Sequence, residues 1–368
     1  MSQCFYMPVK VIYGPHCVAE NAALFAGFGK KALIVTSPSS AKNGALQEVT
    51  EALSSQGIAW GVFDRCENNP SLEMTDRLGE FARQDKYDFV IGIGGGSAMD
   101  SAKAASVLAV NDYPAAKLFE NRFPHAPLPL IEVPTTAGTG SEVTYNAVIT
   151  IDGGRNKKSF GTPVTHAKLA FLDARYTETL PMRLTRYTAL DALAHAIEGF
   201  LSCKATPAGS MVAKEVFRIF AKNHGALCGD SLTPAVRQEL LLNAMYAGIV
   251  IAQERTIAVH SLSYPLTAMR GVQHGLAVSL PMASFLEICY SGAKEKIDEL
   301  LGILGLTELG QFRGYIGRLM DDKNTYTRAE IEEFVSVAGQ GAIGRNNPVK
   351  LTLDDVRNIY LTSLALSD

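Results

Sequence analysis

Short apolar runs alternate with helical periodicities through the first half of the 368-residue chain. Four runs rich in apolar residues are predicted to be buried strands, at 31–36, 58–63, 87–93 and around Leu130. The 3.6-residue periodicity between them predicts helices at 41–56, at 71–84 with Ser71 as cap, and after Ser97. Segments 143–151 and 168–172 are predicted to add a β-rich extension, with 153–158 as a turn between them. This alternation predicts a mostly parallel sheet with helices on both faces.

The pattern changes beyond Leu184, where long helical periodicities dominate and no strand is predicted. The predicted helices cover 185–201, 210–223, 235–251 and 257–269. The sequence therefore predicts an α/β dinucleotide-binding domain at 1–180, a Rossmann-like fold, and an all-helical domain at 181–368.

A glycine-rich turn follows the third predicted strand. Gly94, Gly95 and Gly96 carry no Cβ atom, so the backbone there can approach a ligand closely. Ser97 is predicted to cap the next helix, with Asp100 in its first turn. Bare N–H groups at such a helix start favour a pyrophosphate, although Ser97 replaces the third glycine of the usual fingerprint. A cofactor-binding turn and a purely structural turn are both open at this point.

A second candidate for cofactor contacts is the segment PTTAGTGSEVT, which follows the apolar run LPLIEV. Its hydroxyls and flexible backbone suit contacts to the ribose, phosphate and carboxamide of a dinucleotide. The residues expected to make these contacts are Thr135, Thr136, Thr139, Ser141 and Thr144.

One carboxylate and three imidazoles in the second half form a candidate metal site. Asp191 and His195 lie four residues apart in a predicted helix, so their side chains share one face. His260 and His274 follow, separated by fourteen residues. An N3O ligand set suits Fe(II), Zn(II) or Ni(II). Each histidine taken singly is also compatible with a core or surface role.

Composition and charge limit the binding partners and the cellular compartment that we expect for this protein. The net charge is −3 and no basic run occurs, which disfavours nucleic acid and anionic membranes as partners. No signal-peptide pattern or long apolar run is seen, so no membrane span is expected. Six cysteines without a C-x-x-C motif predict reduced thiols in a cytoplasmic protein.

Four motifs in order, GGGSAMDSAK, PTTAGTGSEVT, DALAHAIEGF and the His260/His274 pair, resemble the iron-containing (group III) alcohol dehydrogenase family. The 1,3-propanediol dehydrogenase-like branch is the most similar. The resemblance implies a dehydroquinate synthase-like architecture with the active site in the cleft between the domains. It also implies hydride transfer between NAD(P)(H) and a small primary alcohol, diol or aldehyde. A homodimer or higher homo-oligomer is expected.

The resemblance also implies roles for three further residues. Many members carry a histidine where this chain has Tyr264, and a phenol carries protons less well near pH 7. Tyr264 is therefore either a pocket wall or part of a relay. Asn69 and Lys157 correspond to cofactor contacts, and a solvated turn is the competing interpretation for Lys157.

Cofactor preference depends on the residues after the first predicted strand of the alternating region. NAD-preferring enzymes often place an acidic side chain there on the ribose 2′-hydroxyl. This chain has Ser37, followed by Ser39 and Ser40, which can donate hydrogen bonds to a 2′-phosphate. We therefore expect NADP(H) to be favoured over NAD(H). The alternative is that these serines only cap the following helix.

Two other functions remain open from the sequence. A dehydroquinate synthase-like lyase shares the architecture, but its zinc is held by a glutamate and two histidines. A non-catalytic nucleotide-binding sensor or assembly protein would not need the four candidate ligands. The oxidoreductase is the leading hypothesis, with Fe(II) expected in the site.

Overall fold

The computed structural model describes residues 4–154, 156–339, 343 and 345–367. The chain forms two compact units, Met7–Leu180 and Pro181–Asp368, and the segment up to Tyr6 groups with the second. The backbone N–H of Tyr6 donates to Oε1 of Gln253 at 3.0 Å, and its carbonyl accepts from Nε2 of Gln253 at 2.8 Å. These two bonds fix the start of the described chain on the helical unit.

The α/β unit contains eight strands among its described residues. They are β1 Lys10–Tyr13, β2 Lys31–Thr36, β3 Ala59–Phe63, β4 Phe89–Gly94, β5 Leu130–Pro134, β6 Ala147–Ile151, β7 Asn156–Phe160 and β8 Leu169–Leu172. Six of them form a parallel sheet in the order β1-β8-β5-β4-β2-β3, and β6 pairs with β7 as an antiparallel hairpin. The central strands β2, β4 and β5 are almost wholly buried, which explains their continuous apolar runs.

Two strand predictions are corrected by the sheet. The run at 168–172 is not an extension, because β8 lies inside the main sheet between β1 and β5. Residues Asn156–Lys158, predicted as part of a turn, begin β7. Strand β1, which lies at the sheet edge with exposed ends, was not predicted.

Four α-helices complete this unit: α1 Cys17–Glu20, α2 Ala45–Ser55, α3 Leu72–Gln84 and α4 Gly96–Leu108. The predicted cap of α3 is confirmed, since Ser71 Oγ accepts from Met74 N at 3.1 Å. Helix α2 starts later than predicted because Gly44 adopts φ +91° just before it.

Helices cover both faces of the parallel sheet. Ile91 of β4 packs in one apolar cluster with Val49 of α2. The next residue, Gly92, faces the opposite side, where a Cβ would lie 2.7 Å from that of Ala102 in α4. The predicted doubly covered sheet is therefore confirmed.

The helical unit forms nine helices in its described residues. They are α5 Met182–Leu201, α6 Pro207–Cys228, α7 Pro234–Glu254, α8 Ala258–Arg270, α9 His274–Ser279, α10 Met282–Ile303, α11 Gly310–Gly317, α12 Arg328–Gly339 and α13 Leu353–Ser363. Helix α6 begins three residues earlier than predicted and α7 one residue earlier, each with a threonine cap and proline as first helical residue. In the described part of this unit, the β structure is limited to one bridge between Tyr326 and Leu366.

Helix α5 is the core of the helical unit. It packs against α6, α7 and α9, and three quarters of its length is buried, so its polar residues lie inside the unit. The stretch His274–Ile303 has the length and mean hydropathy, 1.3, of a membrane span, but 67% of its most apolar window is buried in the structure. It is therefore accounted for as a packed core segment.

Candidate active site

Helix α5 presents three ionisable side chains along one face. Asp191, His195 and Glu198 follow a spacing of four and three residues, which aligns them on successive turns. Their relative exposures are 2%, 5% and 0%. Buried charged groups need specific partners, so this face is a strong candidate for a functional centre.

The other two candidate ligands come from α8 and the first residue of α9. Three imidazole Nε2 atoms lie around one carboxylate oxygen, Asp191 Oδ1: that of His195 at 3.9 Å, His260 at 3.4 Å and His274 at 3.7 Å. The rings of His195 and His260 stack at a centroid distance of 4.4 Å. The structure thus brings all four predicted ligands together.

The donor atoms fit a divalent metal ion. Ligand atoms held about 2.1 Å from a tetrahedral metal lie about 3.4 Å apart, close to the separations seen here. Asp191 Oδ1 and His260 Nε2 are buried and make no hydrogen bond within the described residues. A cation bonded to both would satisfy them.

Charge at the centre also suits a cation. Burial opposes ionisation of Asp191, but the neighbouring His195, His274 and His260 outweigh it and hold the pKa of Asp191 well below its usual range. The residue is therefore a carboxylate at neutral pH, which is the protonation state of a metal ligand.

The position of His274 is set by close packing between the start of α9 and α5. An added Cβ on Gly275 would lie 2.0 Å from the backbone oxygen of Tyr187 on α5. Only glycine allows α9 to begin this close to α5, and His274 is the residue directly before it.

Sequence reasoning missed one member of the centre, Glu198. Its Oε1 accepts from the backbone N–H groups of Ile257 at 3.0 Å and His260 at 3.2 Å. Its Oε2 contacts Nδ1 of the His260 ring. The available signal was its position seven residues after Asp191, which repeats the helical face of that ligand.

Tyr264 lies four residues after His260 on α8 and is partly buried. Burial, followed by the nearby carboxylates of Glu198 and Asp191, raises the pKa of Tyr264 to about 12. The phenol therefore keeps its proton across the neutral range.

The glycine turn of the α/β unit starts α4 in a different way from that predicted. Gly95, in extended conformation, is the N-cap, and Ser97 is the second residue of the helix. The prediction of Ser97 as cap is wrong, because its Oγ accepts from the backbone N–H of Asn69 at 3.0 Å. The N-terminus of α4 is left without a side-chain cap.

The threonine segment lies against the glycine turn. The register of β4 and β5 pairs Gly94 with Pro134. A Cβ on Gly95 would lie 3.2 Å from Thr136, and one on Gly96 would lie 2.8 Å from Thr139. The two predicted cofactor motifs therefore form one surface at the carboxyl ends of neighbouring strands, where doubly wound sheets bind ligands.

The serines after β2 adjoin the same surface. Ser37 Oγ lies 3.1 Å from Ser39 Oγ and 3.0 Å from Ser40 Oγ. Ser40 Oγ lies 3.4 Å from Thr135 Oγ1 and would lie 3.0 Å from a Cβ on Gly94. Ser40 is buried, whereas Ser37 and Ser39 are more exposed.

Three of the residues predicted to contact the cofactor make hydrogen bonds within the protein. Asp100 accepts from Ser141 Oγ at 2.7 Å and from the N–H of Val148 at 2.8 Å. Thr144 Oγ1 accepts from Nζ of the fully buried Lys103 at 3.2 Å. Asp100, Ser141 and Thr144 thus support the loop from inside the unit, and Lys103 was not predicted.

The last two predicted contacts meet each other at the surface. Lys157 Nζ donates to Asn69 Oδ1 at 2.9 Å, and Thr150 Oγ1 donates to the Asn69 carbonyl at 3.1 Å. Asn69 adopts φ +56°, and its N–H reaches Ser97 in the glycine turn. The β6–β7 hairpin is thereby joined to the start of α4.

A parallel sheet carrying a glycine turn and a helical unit with an N3O donor set define a metal-dependent, nucleotide-binding class of enzyme. Protein-family models agree with this class over most of the chain. Residues 8–174 match the iron-containing alcohol dehydrogenase model, and residues 185–364 match the Fe-containing alcohol dehydrogenase C-terminal model.

Individual relatives agree with the family models. The sulfoacetaldehyde reductase of Bilophila wadsworthia (strain 3_1_6) is 33% identical over 281 residues, which are 76% of this chain and 73% of that protein. An iron-containing alcohol dehydrogenase structure from Thermotoga maritima is 36% identical, covers 99% of both chains and has a TM-score of 0.91. The sulfoacetaldehyde reductase of Bifidobacterium kashiwanohense, in complex with NAD+, is 27% identical, covers 100% of both chains and has a TM-score of 0.89.

The chain belongs to the iron-containing alcohol dehydrogenase family and is an oxidoreductase acting on alcohols and aldehydes. The family and fold predicted from the sequence are confirmed. The same findings support the oxidoreductase hypothesis and do not support the lyase alternative.

Proposed function

We propose that this protein interconverts a small primary alcohol or diol and its aldehyde, using a divalent metal held by Asp191, His195, His260 and His274. The observation that carries the proposal is the convergence of three imidazole Nε2 atoms, within 3.4–3.9 Å, on one buried carboxylate oxygen. Fe(II) is the metal we assign, because the family is iron-containing, with Zn(II) and Ni(II) as substitutes that an N3O set accepts.

When bound, such a metal stabilises the negative charge that develops on the substrate oxygen during hydride transfer. The charges and protonation states of the residues around the metal favour that negative charge. Asp191 supplies one anionic ligand and neutral imidazoles supply the other three donors, so the four ligands themselves offset only one of the two charges of a divalent cation. Tyr264 keeps its proton, and we assign it to the pocket wall rather than to a proton relay.

The α/β unit supplies the nicotinamide cofactor site. The backbone of Gly94, Gly95 and Gly96 and the uncapped start of α4 suit the pyrophosphate, because N–H groups and the helix dipole face an anion there. Thr136 and Thr139 line the same turn and can donate to phosphate or ribose oxygens. Lys157, held by its hydrogen bond to Asn69 Oδ1, adds a cation at the edge of this site.

We also propose that NADP(H) is preferred over NAD(H). The residue directly after β2 is Ser37. An acidic residue at this position would repel a 2′-phosphate, whereas serine does not. The Ser39 and Ser40 hydroxyls lie within 3.1 Å of the Ser37 hydroxyl, and Lys42 nearby is exposed. These groups can donate hydrogen bonds and charge to an added phosphate.

The expected location is the cytoplasm. All six cysteines are free thiols in the structure, and three of them are buried. Unpaired cysteines in this number are typical of a reducing compartment.

The test is turnover by protein stripped of metal and then reloaded anaerobically with Fe(II), Zn(II) or Ni(II). Absorbance of the reduced nicotinamide is followed with short primary alcohols and diols, with NADP+ and with NAD+. We expect turnover to require the metal and to be faster with NADP+. Turnover at full rate in the metal-free protein would contradict the proposal.

A histidine variant and a matched control distinguish loss of the metal site from loss of the folded structure. His260→Ala should lose bound metal and turnover while the far-ultraviolet circular dichroism stays unchanged. His125→Ala removes an exposed histidine of the other unit and should behave as wild type. Retained metal with near-normal activity in His260→Ala would refute the ligand assignment.

A further inference from the structure

Helix α8, which carries His260, begins without a cap of its own. Its N-cap residue is Ile257, whose side chain cannot accept a hydrogen bond. Arg255, two residues earlier, has φ +69° and ψ 162°, a region that side-chain-bearing residues rarely occupy. The turn that leads into α8 therefore has to be held by residues from elsewhere in the helical unit.

Two side chains from other segments hold it. Glu198 Oε1 accepts from the N–H of Ile257, the N-cap, at 3.0 Å and from that of His260, the third helical residue, at 3.2 Å. Asn347 Oδ1 accepts from the N–H of Ala258 at 3.2 Å. One carboxylate oxygen thus satisfies the two N–H groups that a capping box satisfies from within a helix. Its negative charge also suits the N-terminal end of the dipole.

The second oxygen of the same carboxylate faces the His260 ring. Glu198 Oε2 contacts Nδ1, and the side chain of Glu198 is fully buried. A carboxylate oxygen only accepts, so the hydrogen lies on Nδ1. In the neutral ring, which is the form that binds a metal, the lone pair is then on Nε2, at the opposite side of the ring and 3.4 Å from Asp191 Oδ1.

We propose that Glu198 is the positioning residue of this centre: it fixes the orientation and tautomer of His260 and ties them to the start of α8. The inference rests on the proposed role of His260 as a metal ligand. Carboxylates behind ligating histidines act in this way in metal sites generally, and their loss weakens metal binding by about 10–100-fold.

The two-sided role predicts that glutamine does not replace Glu198. Glutamine has one acceptor oxygen and one NH2 group. With its oxygen on the two backbone N–H groups, its NH2 faces Nδ1 and selects the tautomer whose Nε2 carries hydrogen. The reverse orientation leaves two buried N–H groups facing an NH2 group, so we expect the first arrangement.

The experiment compares Glu198→Gln with Glu254→Gln. Glu254 is a matched control, since it is also fully buried in the helical unit and its Oε1 accepts from N and Oγ1 of Thr206. Zn²⁺ affinity of the metal-free proteins is measured by competition with a chromophoric chelator, and their melting temperatures are measured alongside. Glu198→Gln should bind Zn²⁺ about 10–100-fold more weakly than wild type, although it melts no earlier than Glu254→Gln. Glu254→Gln should keep wild-type affinity.

Zn²⁺ affinity of Glu198→Gln within about threefold of wild type would overturn the proposal. If that variant does not fold, nitrogen NMR of zinc-loaded, ¹⁵N-histidine-labelled wild type replaces it, with the His260 signals assigned by their absence from His260→Ala. We expect a protonated Nδ1 and a zinc-bound Nε2, and zinc on Nδ1 would overturn the inference. Wild type that binds no zinc at all would refute the proposed metal site itself, which is a different failure.

Discussion

Lys103 offers the sharpest test of how the α/β unit holds its cofactor surface. Its side chain is fully buried in α4. The ammonium donates to the Ser141 carbonyl at 2.8 Å and to Ser141 Oγ at 2.6 Å. It also donates to the Asn146 carbonyl at 2.9 Å and lies 3.6 Å from the carboxylate of Asp100. One cation therefore ties the end of the threonine segment, and the loop that follows it, to α4.

Lys103→Met keeps much of the volume and removes the charge. The carbonyls at 141 and 146 would lose their donor inside the protein, and Asp100 would lose its cation. Removing one partner of a buried charged cluster destabilises proteins by about 3–5 kcal/mol. For a unit of this size that loss lowers the melting temperature by roughly 6–20 °C. The KM for the cofactor should also rise, since the loop adjoins the threonine segment.

The assay is urea unfolding of the full chain, followed by circular dichroism, with steady-state kinetics on the same samples. Lys168→Met is the control, because Lys168 is an exposed lysine of the same unit and should change stability by less than about 0.5 kcal/mol. A Lys103→Met variant as stable as the control would refute the account of the buried ammonium.

Three further predictions follow from single contacts. Gly275→Ala should cost about 1–3 kcal/mol and weaken metal binding, because the new Cβ would lie 2.0 Å from the Tyr187 carbonyl oxygen; thermal melts and metal titration check this, and an unchanged melting temperature contradicts it. Ser37→Asp should move the ratio of kcat/KM from NADP(H) toward NAD(H) by one to two decades, or roughly 2–3 kcal/mol, and a ratio that does not move refutes the assignment of Ser37. Burial raises the pKa of Glu142 to about 7, so the folded state holds a proton that the unfolded state releases near its usual pKa of about 4.3. This contribution to stability is fully present below about pH 4.3 and falls by about 4 kcal/mol as the pH rises from there through 7. Glu142→Gln should remove the decline, and equal slopes in urea titrations between about pH 4.5 and 7.5 would contradict it.

The sequence correctly predicted the helices and strands that are determined by residues close to them in the chain. Apolar runs identified β2, β4 and β5 because these strands are buried on both faces, and Ser71 was correctly predicted as the cap of α3. The position of β8 could not be predicted in the same way. Which strand lies next to which is decided by packing between segments that are distant in sequence, and Ile131 pairs with Leu169.

The same difference between local and long-range determinants applies to the residues of the site. Asp191 and His195 were predicted from their spacing on one helix. Glu198 was missed because its partner, His260, lies 62 residues away, on a helix whose contact with α5 no periodicity reveals. Lys103 was missed for a different reason, since lysine is almost never fully buried and nothing local marks this one as an exception.

Ser97 shows how a local rule can mislead. Serine is a favoured N-cap, and the prediction followed that preference. The glycine turn shifts the start of α4 so that Gly95 takes the cap position, and the hydroxyl of Ser97 accepts from Asn69 instead. The helix end is thereby left open for an anion, which agrees with the proposed pyrophosphate site.

The metal centre is tested most directly by a crystal structure of the enzyme purified and loaded with Fe(II) without oxygen, using anomalous diffraction on both sides of the iron absorption edge. The account predicts one strong iron peak per chain, bonded at about 2.0–2.3 Å to a carboxylate oxygen of Asp191 and to Nε2 of His195, His260 and His274. An iron peak at other residues, or no peak in protein that turns over alcohol, would contradict it.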